Sequence, residues 1–183
     1  MPGEGTKPAT IGQRLGFDGK LVRVRVDEIR LPSGRIATRE VVEHPGAVAI
    51  VAVTDDDHLL LVHQYRHAVG EALLEIPAGT LEPGEPPAET ARRELIEETG
   101  YAPGQLAEIV SFFPTPGYSS ERIVLFHATG CHPVEHTRPE DEPAELVRLP
   151  LADLSRLLAP GPEQIRDGKS LIGLLWLATQ VAQ

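Results

Sequence analysis

The chain has 183 residues, of which 41% are hydrophobic, and a formal net charge of −10. This length and composition suit one hydrophobic core with an appendage. The negative charge, with no basic stripe to offset it, argues against a nucleic acid as a partner, and no apolar run approaches the roughly 18 residues of a membrane span. A single cysteine, Cys131, and the lack of an N-terminal signal pattern predict a cytoplasmic protein.

The segment ahead of residue 45 is predicted to be a tail followed by a β-hairpin. Residues 1–16 are rich in Gly, Pro and Thr and are expected to fray. Residues 20–26 and 36–43 alternate apolar with charged or polar side chains, as half-buried strands do. An isolated hairpin is marginally stable unless its apolar face is covered. We therefore assign residues 1–44 to dimerisation and substrate contact, with a simple cover for the main sheet as the alternative.

Residues 45–183 show the mixture of strand and helix patterns expected of an α/β domain. Residues 47–53 are apolar throughout and predict a central strand buried on both faces. A short helix is expected at residues 150–158, and an apolar helix at residues 170–181, capped by Ser170 or Asp167, follows it. The further predicted strands are residues 59–65, 73–76, 106–113, 123–128 and 146–149.

Residues 79–101 combine a turn with a helix that is rich in acidic residues. Pro87–Thr99 is predicted to be the helix, because prolines suit its entry and first turn. Gly100 stands where a left-handed residue commonly ends a helix. Ala91 and Leu95 supply the apolar stripe that would pack this helix against a sheet.

Three glutamates of this predicted helix are candidates for binding a cation. Glu94 and Glu98 lie four residues apart, so their carboxylates project from one face about one turn apart, with Glu97 beside them. Like charges in this register destabilise a helix by roughly 0.2–0.5 kcal/mol per pair. Converging carboxylates form a hard oxygen site suited to Mg²⁺ or Mn²⁺. For the glutamate pair alone, a solvated acidic surface is the alternative.

The spacing of the whole segment is more specific than the glutamate pair. The residues that define it are Gly79, Glu85, Arg93, Glu94, Leu95, Glu97, Glu98 and Gly100, followed by an apolar position at Tyr101. This order and spacing resemble the Nudix box of the Nudix hydrolases. The resemblance implies an α/β/α sandwich with a mixed sheet, here with an N-terminal β-hairpin extension. It also implies hydrolysis of a nucleoside diphosphate linked to another moiety.

Segments outside the box indicate which group within the Nudix hydrolases the chain resembles. Pro116 stands sixteen residues past Gly100, in a Pro-Gly segment that a turn between two strands would also explain. Other matching segments are residues 39–48, Gln64-Tyr65-Arg66, residues 74–79 and Asp167-Gly168-Lys169-Ser170. Together these segments resemble the ADP-ribose pyrophosphatases over most of the chain. The resemblance implies cleavage of ADP-ribose by water to AMP and ribose 5-phosphate.

The resemblance also implies roles for the residues of the box. The metal ligands would be the carbonyl of Ala78 and the carboxylates of Glu94, Glu98 and Glu142, holding two or three Mg²⁺ or Mn²⁺ ions. Glu97 would be a further ligand or a catalytic partner of the ligands. The structural residues of the box would be Gly79, Glu85, Arg93 and Gly100, with Arg93 paired to Glu85.

A further carboxylate is implied to come from the acidic segment of residues 140–145. Alignment on the strand predicted at residues 146–149 makes Glu142 a metal ligand and Glu140 the base that activates water. These two roles stay open to exchange. We expect the segment to close over bound substrate, and a solvated charged loop is the alternative.

The implied contacts to a small nucleotide substrate lie outside the box. Arg39 and Arg66 match positions that hold the phosphates or the terminal ribose, where a planar guanidinium suits bidentate contacts. Thr115 and Glu121 match positions near the terminal ribose. Phe17 and Tyr118 are candidates for stacking on adenine, and the subfamily implies a homodimer with an exchanged hairpin.

Two alternatives to ADP-ribose hydrolysis stay open at this point. The box does not separate ADP-ribose from another nucleoside diphosphate sugar, such as GDP-mannose. The chain could also bind ADP-ribose as a sensor that regulates a partner without hydrolysing it. Intact carboxylates at Glu94, Glu97 and Glu98 disfavour the sensor.

Overall fold

The structure is a computed structural model, and it describes residues 7–135, 144–161 and 164–181. The chain divides into two units. The first comprises the described residues up to Gly46 together with Phe113–Arg122, and the second comprises Ala47–Phe112 together with the described residues from Ile123 onward. Among the described helices, none is long and apolar enough to cross a membrane.

The first unit is built on a three-stranded antiparallel sheet in the order β1-β2-β3. Its strands are β1 (Ala9–Asp18), β2 (Arg23–Arg30) and β3 (Ile36–Glu43). The expectation of a frayed tail up to residue 16 is wrong from Ala9 onward, because β1 pairs with β2 along its whole length. Glycines weaken an isolated strand, but the hydrogen-bonded ladder compensates for that weakness. The N-terminal extension therefore has three strands instead of the two predicted.

The segment Phe113–Arg122 belongs to the first unit because it pairs with β3. The amide of Val42 donates to the carbonyl of Tyr118 (2.8 Å), and the amide of Ser120 donates to the carbonyl of Val42 (2.9 Å). The amide of His44 also donates to the hydroxyl of Ser120 (3.1 Å). The predicted Pro-Gly turn is therefore held against the N-terminal sheet by backbone hydrogen bonds.

The second unit contains a mixed sheet, as predicted. Its strands are β4 (Ala47–Thr54), β5 (His58–Arg66), β6 (Glu71–Glu75), β7 (Ala78–Thr80), β8 (Tyr101–Ala102), β9 (Gln105–Phe112), β10 (Ile123–Pro133) and β11 (Ala144–Pro150). The main order is β11-β5-β4-β10-β8, with β6 beside β5, β7 beside β4 and β9 beside β10. Strands β4 and β10 are parallel, and the other pairs are antiparallel.

Helices cover both faces of this sheet and confirm the predicted α/β/α sandwich. The helices are α1 (Pro87–Thr99), α2 (Leu154–Leu158), which follows a 3₁₀ turn at Leu151–Asp153, and α3 (Gly168–Val181). Alternate residues of β4 point to opposite faces: Val48 and Ile50 belong to the cluster that contains α1, and Ala49 and Val51 to the cluster that contains α2 and α3. Residues 47–53 are apolar throughout because both faces of β4 are buried.

Asp167 caps helix α3. Its carboxylate oxygen Oδ2 accepts hydrogen bonds from the amide (3.0 Å) and the hydroxyl (2.6 Å) of Ser170. Of the two capping residues considered from the sequence, Asp167 is therefore the cap, and Ser170 lies inside the helix. The hydroxyl of Ser170 in turn accepts a hydrogen bond from the amide of Ile76 (2.9 Å), which ties α3 to the end of β6.

Candidate active site

A cavity of about 400 Å³ lies in the second unit between the end of β5, the segment that begins with β7, and helix α1. The predicted metal ligands Ala78, Glu94 and Glu98 line it, and so do Glu97 and Arg66. The remaining lining residues are Gln64, Gly79, Thr80, Leu81, Glu82, Pro83 and Arg93. The fold therefore brings residues from three separate segments of the sequence to one cavity.

Helix α1 has the bounds predicted from the sequence. Pro87 occupies its first turn, and Gly100 ends it with a φ of 76° while its amide donates to the carbonyl of Ile96 (2.8 Å). This left-handed conformation is one that glycine adopts without steric cost. Fixed ends set the rotation of the helix about its axis, and that rotation decides which carboxylates face the cavity.

The buried face of α1 carries apolar and acidic side chains together. Ala91 and Leu95 are fully buried in the core, and Glu94 and Glu98 retain only 8% and 5% of their exposure. All four lie within two helical turns, so the apolar contact that holds the helix on the sheet also buries the two carboxylates. A buried carboxylate is costly unless it has partners, which the structure supplies.

Arg93 is the main partner of the acidic side chains of the box. Its Nε and a terminal nitrogen donate to the two oxygens of Glu85 (3.3 and 3.0 Å), which confirms the predicted ion pair. Its other terminal nitrogen donates to Glu94 (2.8 Å) and Glu97 (3.0 Å), contacts that the sequence did not reveal. The hydrogen bond to Arg93 holds the pKa of Glu85 below its ordinary value, aided by the hydroxyl of Thr90.

The strand β7 supplies the other wall of the cavity. The amide of Ala78 donates to Oε2 of Glu98 (3.0 Å), and β7 is held in place by its pairing with β4. A Cβ added at Gly79 would collide with the carboxyl group of Glu94. Glycine is therefore required there by the close approach of the backbone to Glu94, which gives the predicted structural role a steric cause.

The donor chemistry of the cavity fits a divalent cation. The carboxylates of Glu94, Glu97 and Glu98 and the backbone carbonyl of Ala78 are hard oxygen donors of the kind that Mg²⁺ and Mn²⁺ prefer. A carboxylate offers about four lone-pair positions, so a bond to Arg93 leaves Glu94 and Glu97 capacity for another partner. Within residues 7–135, 144–161 and 164–181, no group of three or more His, Cys, Asp or Glu side chains is arranged so that it could hold a metal ion.

Arg66 enters the cavity from strand β5, and its orientation is set by residues that sequence analysis gave no role. Its Nε and a terminal nitrogen donate to the two oxygens of Glu75 (2.9 and 2.8 Å), a side chain that is only 2% exposed. Glu75 also forms an ion pair with Lys169. Burial raises the pKa of Glu75, but Arg66 and Lys169 outweigh burial and hold it below its ordinary value.

Gln64 is a second cavity residue that received no role from the sequence. It lies two residues before Arg66 on β5, and therefore on the same face of the strand. Its side-chain oxygen is buried and accepts no hydrogen bond in the described part of the chain. A buried acceptor without a partner costs about 1–3 kcal/mol, so in the described chain this oxygen keeps an unused hydrogen-bonding capacity at the wall of the cavity.

The other predicted substrate residues lie in the first unit. Arg39 is exposed on β3, with one guanidinium nitrogen bonded to the carbonyl of Thr38 (2.8 Å). The carbonyl of Thr115 accepts hydrogen bonds from the amides of Tyr118 and Ser119 (3.2 and 3.0 Å). A carboxylate oxygen of Glu121 lies 3.8 Å from a ring nitrogen of His44. Phe17 and Tyr118, the candidates for stacking, are 57% and 58% exposed.

The predicted base Glu140 and the predicted metal ligand Glu142 lie outside the described residues. Their neighbour Ala144 begins β11 and pairs with Gln64 of β5. The described chain therefore resumes, two residues past Glu142, beside a residue that lines the cavity.

The match to known families agrees with this geometry. Residues 43–171 match the NUDIX domain family, and residues 10–42 match the nucleoside diphosphate sugar hydrolase N-terminal domain. The chain thus belongs to the Nudix family and is a Nudix pyrophosphohydrolase. Hydrolases of this family need divalent cations, which agrees with the acidic cavity.

Individual relatives show which members of the family this chain is similar to. The chain is 38% identical to the ADP-ribose pyrophosphatase of Bacillus subtilis, over 94% of each chain, and 39% identical to that of Mycobacterium tuberculosis, over 91% of this chain and 81% of the relative. It is also 40% identical to the methanol dehydrogenase activator of Bacillus methanolicus, over 94% of each chain.

A solved structure supports the fold over the whole chain. The crystal structure of an ADP compounds hydrolase superposes with a TM-score of 0.84 at 26% identity, covering 96% of this chain and 95% of that one. The resemblances stated from the sequence, to the Nudix family and to its ADP-ribose pyrophosphatases, are confirmed.

Proposed function

We propose that the chain hydrolyses the pyrophosphate bond of ADP-ribose, giving AMP and ribose 5-phosphate. The observation that carries the proposal is the cavity that Glu94, Glu97 and Glu98 line together with Arg66. The relatives named ADP-ribose pyrophosphatase support the choice of substrate. In this reaction water adds its oxygen to one phosphorus, and the bridging oxygen leaves with the other phosphate.

The charge of the cavity explains why the reaction depends on metal. A diphosphate carries two negative charges, and Glu94, Glu97 and Glu98 line the cavity together with Arg93 and with Arg66, which is already paired with Glu75. At about 4 Å and an effective dielectric of about 20, each like-charge contact costs about 4 kcal/mol. An anionic substrate therefore enters this cavity only together with cations.

We assign the binding of two or three Mg²⁺ or Mn²⁺ ions to Glu94, Glu98, the carbonyl of Ala78 and Glu142. When bound, such ions neutralise the diphosphate and acidify a coordinated water. The protein holds the ligands ready: Arg93 fixes Glu94 and Glu97, and the amide of Ala78 fixes Glu98. Glu140 is our candidate for the base that activates water, and Glu142 is the candidate if these two residues exchange roles. Glu97 is proposed as a third catalytic carboxylate.

We assign substrate contacts to four residues outside helix α1. Two of the five N–H donors of Arg66 bind Glu75, and the other three, which bind no group among the described residues, suit an oxygen of a phosphate. Arg39, Thr115 and Glu121 are proposed to contact the phosphates or the terminal ribose. The resemblance to the subfamily supports these three assignments.

We further propose a homodimer with an exchanged N-terminal sheet. The sheet of β1, β2 and β3 exposes several large apolar side chains, which a second subunit would cover. They are Ile11, Leu15, Phe17, Leu21 and Ile36, between 42% and 60% exposed. Light scattering at micromolar concentration tests this proposal, since a mass of 19.8 kDa would mean a monomer and would contradict it. The proposed location is the cytoplasm, which a single buried cysteine, Cys131, supports.

The hydrolysis proposal is tested by comparing two glutamates of the same helix. E98Q removes the charge of a cavity carboxylate, and E89Q makes the same change at an exposed position outside the cavity. We expect ADP-ribose to give the highest kcat/KM among ADP-ribose, ADP-glucose and GDP-mannose with Mg²⁺ or Mn²⁺. We expect E98Q to lose about 100-fold or more in kcat/KM and E89Q to match the unmodified protein.

Other outcomes of this assay contradict separate parts of the proposal. A higher kcat/KM for GDP-mannose would reject ADP-ribose as the substrate but keep the hydrolase. Equal activity of E98Q and E89Q would reject the metal role of Glu98. EDTA should abolish turnover, and activity that survives EDTA would reject the need for a cation.

A second candidate function is binding of ADP-ribose to regulate a partner. The observation that favours it is the 40% identical relative named methanol dehydrogenase activator. Binding of ADP-ribose without release of AMP would support this candidate. We place it second because all three carboxylates of the box are present and line the cavity.

A further inference from the structure

A four-residue charge network lies behind the proposed active site, and it consists of Arg66, Glu75, Asp167 and Lys169. It contains two cations and two anions, so its formal charge is zero. Glu75 and Lys169 are almost fully buried, with side chains 2% and 11% exposed, and Arg66 is 39% exposed. The network thus runs from the interior of the second unit to the cavity, and Arg66 is its open end.

The contacts of this network form a connected chain that leads from helix α3 to the cavity. Lys169 forms ion pairs with Asp167 (2.9 Å) and with Oε2 of Glu75. Glu75 spans from Lys169 to Arg66, which it binds through both of its oxygens. A bidentate pair fixes the plane of a guanidinium as well as its position. The orientation of Arg66 in the cavity is therefore set by Glu75.

Glu75 depends on Lys169 for its charge and its position. A carboxylate buried to this degree stays ionised only when cations and hydrogen bonds offset its desolvation. Arg66 is one such cation, but it is 39% exposed and would have to serve a substrate as well. Lys169 is the buried cation that balances Glu75 whether or not Arg66 is engaged.

Helix α3 is anchored to the same segment through a second contact. The hydroxyl of Ser170 accepts the amide of Ile76, the residue that follows Glu75. Asp167 holds that hydroxyl and Lys169 together (2.6 and 2.9 Å). The first turn of α3 therefore locates the backbone at Ile76 and the side chain of Glu75, two and three residues before Ala78 of the cavity wall.

We propose that Lys169 is a positioning residue that, through Glu75, holds the guanidinium of Arg66 ready to bind an anionic phosphate group of the substrate. The inference rests on the proposed function in so far as Arg66 contacts that substrate. The charge on Lys169 acts at a distance from the substrate, because Glu75 and Arg66 lie between them.

The test is a double-mutant cycle between Lys169 and Arg66. K169M keeps the length of the side chain and removes its charge, and we expect it to raise KM for ADP-ribose about tenfold with kcat changed less than about threefold. R66K should raise KM as well. In the R66K background K169M should add less than about twofold, because the group through which it acts is already altered. An undiminished tenfold effect in that background would overturn the proposal.

The matched control is E71Q. Glu71 lies on the same strand as Glu75, opposite Arg66 in the β5–β6 ladder, and its carboxylate forms an exposed ion pair with Arg166 (2.6 Å). Among the described residues, no hydrogen bond or ion pair joins the side chains of Glu71 and Arg66. We expect E71Q to leave KM unchanged. If K169M does not fold, K169R decides: a retained charge should keep KM within about threefold, and a tenfold rise would overturn a charge-based role.

A second readout does not depend on turnover. The Nε–H of Arg66 donates to buried Glu75, so the NMR signal of this proton should be sharp in the unmodified protein. It can be assigned by its loss in R66K, and it should broaden in K169M but not in E71Q. An unmodified protein that does not hydrolyse ADP-ribose would reject the proposed function and leave this readout valid. Hydrolysis with an unchanged KM and a sharp signal in K169M would reject the positioning role alone.

Discussion

Gly79 offers a direct test of the geometry of the box, because a single methyl group there would occupy the space of the Glu94 carboxyl group. The three atoms nearest to a new Cβ belong to the Glu94 side chain, so that side chain would have to move. Overpacking of this kind costs typically about 1–3 kcal/mol of stability. The larger effect falls on activity, since Glu94 is a proposed metal ligand.

The expected size of that effect follows from the contacts of Glu94. Its carboxylate is held by Arg93 (2.8 Å) on a helix whose ends are fixed, so a displaced side chain has few alternative positions near the cavity. Disturbing the orientation of a metal ligand typically costs about 10- to 100-fold in metal affinity or activity. We expect G79A to lose kcat/KM for ADP-ribose in this range and to require more Mg²⁺ for half-maximal activity.

The assay is a Mg²⁺ titration of ADP-ribose hydrolysis, with thermal unfolding measured in parallel. G161A is the control, because a Cβ there meets nothing within 4 Å and its backbone is not left-handed. In an E94Q background, G79A should add little further loss, because the ligand is already impaired. A G79A protein with kcat/KM and Mg²⁺ dependence within about twofold of the unmodified protein would refute the steric reasoning.

Two further predictions concern Gln64, in the wall of the cavity, and Glu75, behind that wall. Q64L removes a buried acceptor that has no partner in the described chain. The Tm should therefore rise by about 2–4 °C for each kcal/mol gained in the free energy of unfolding, while kcat/KM falls about tenfold. A lower Tm with unchanged kcat/KM would contradict this prediction. The pKa of Glu75 lies below its ordinary value of 4.5, so its ion pairs stabilise the fold above pH 4.5 and are lost as pH falls through the folded pKa. The Tm difference between the unmodified protein and E75Q should therefore shrink below pH 4.5, and a difference that is constant with pH would be evidence against the linkage.

The sequence predicted helix α1 to the residue because its boundary signals are local. Proline at the first turn and glycine at the end act on their own backbone, and the three glutamates follow from helical spacing. The alternation in β3 was equally readable, and its bounds match the prediction. Strand β1 was missed because its glycines and threonine resemble a loop until the partner strand is known.

The contacts that position Arg66 were not predictable for a different physical reason. Lys169 and Glu75 are separated by 94 positions in the sequence, and no periodicity links them. Both residues stood in segments that resembled the subfamily, but the resemblance assigned them no role. Their pairing depends on how the first turn of α3 meets the end of β6, which only the folded sheet determines.

The distribution of charge around the cavity connects these observations. On the side of β6 and α3 the charges of Arg66, Glu75, Asp167 and Lys169 cancel, so this wall can orient a phosphate but adds little net attraction. On the side of α1 the carboxylates of Glu85, Glu94 and Glu97 share one guanidinium, that of Arg93. Attraction for an anionic substrate must then come from bound cations, and substrate and cation should each strengthen the binding of the other, because a coupling between two ligands is reciprocal. The protein thus supplies orientation through a neutral network and leaves the supply of positive charge to the metal.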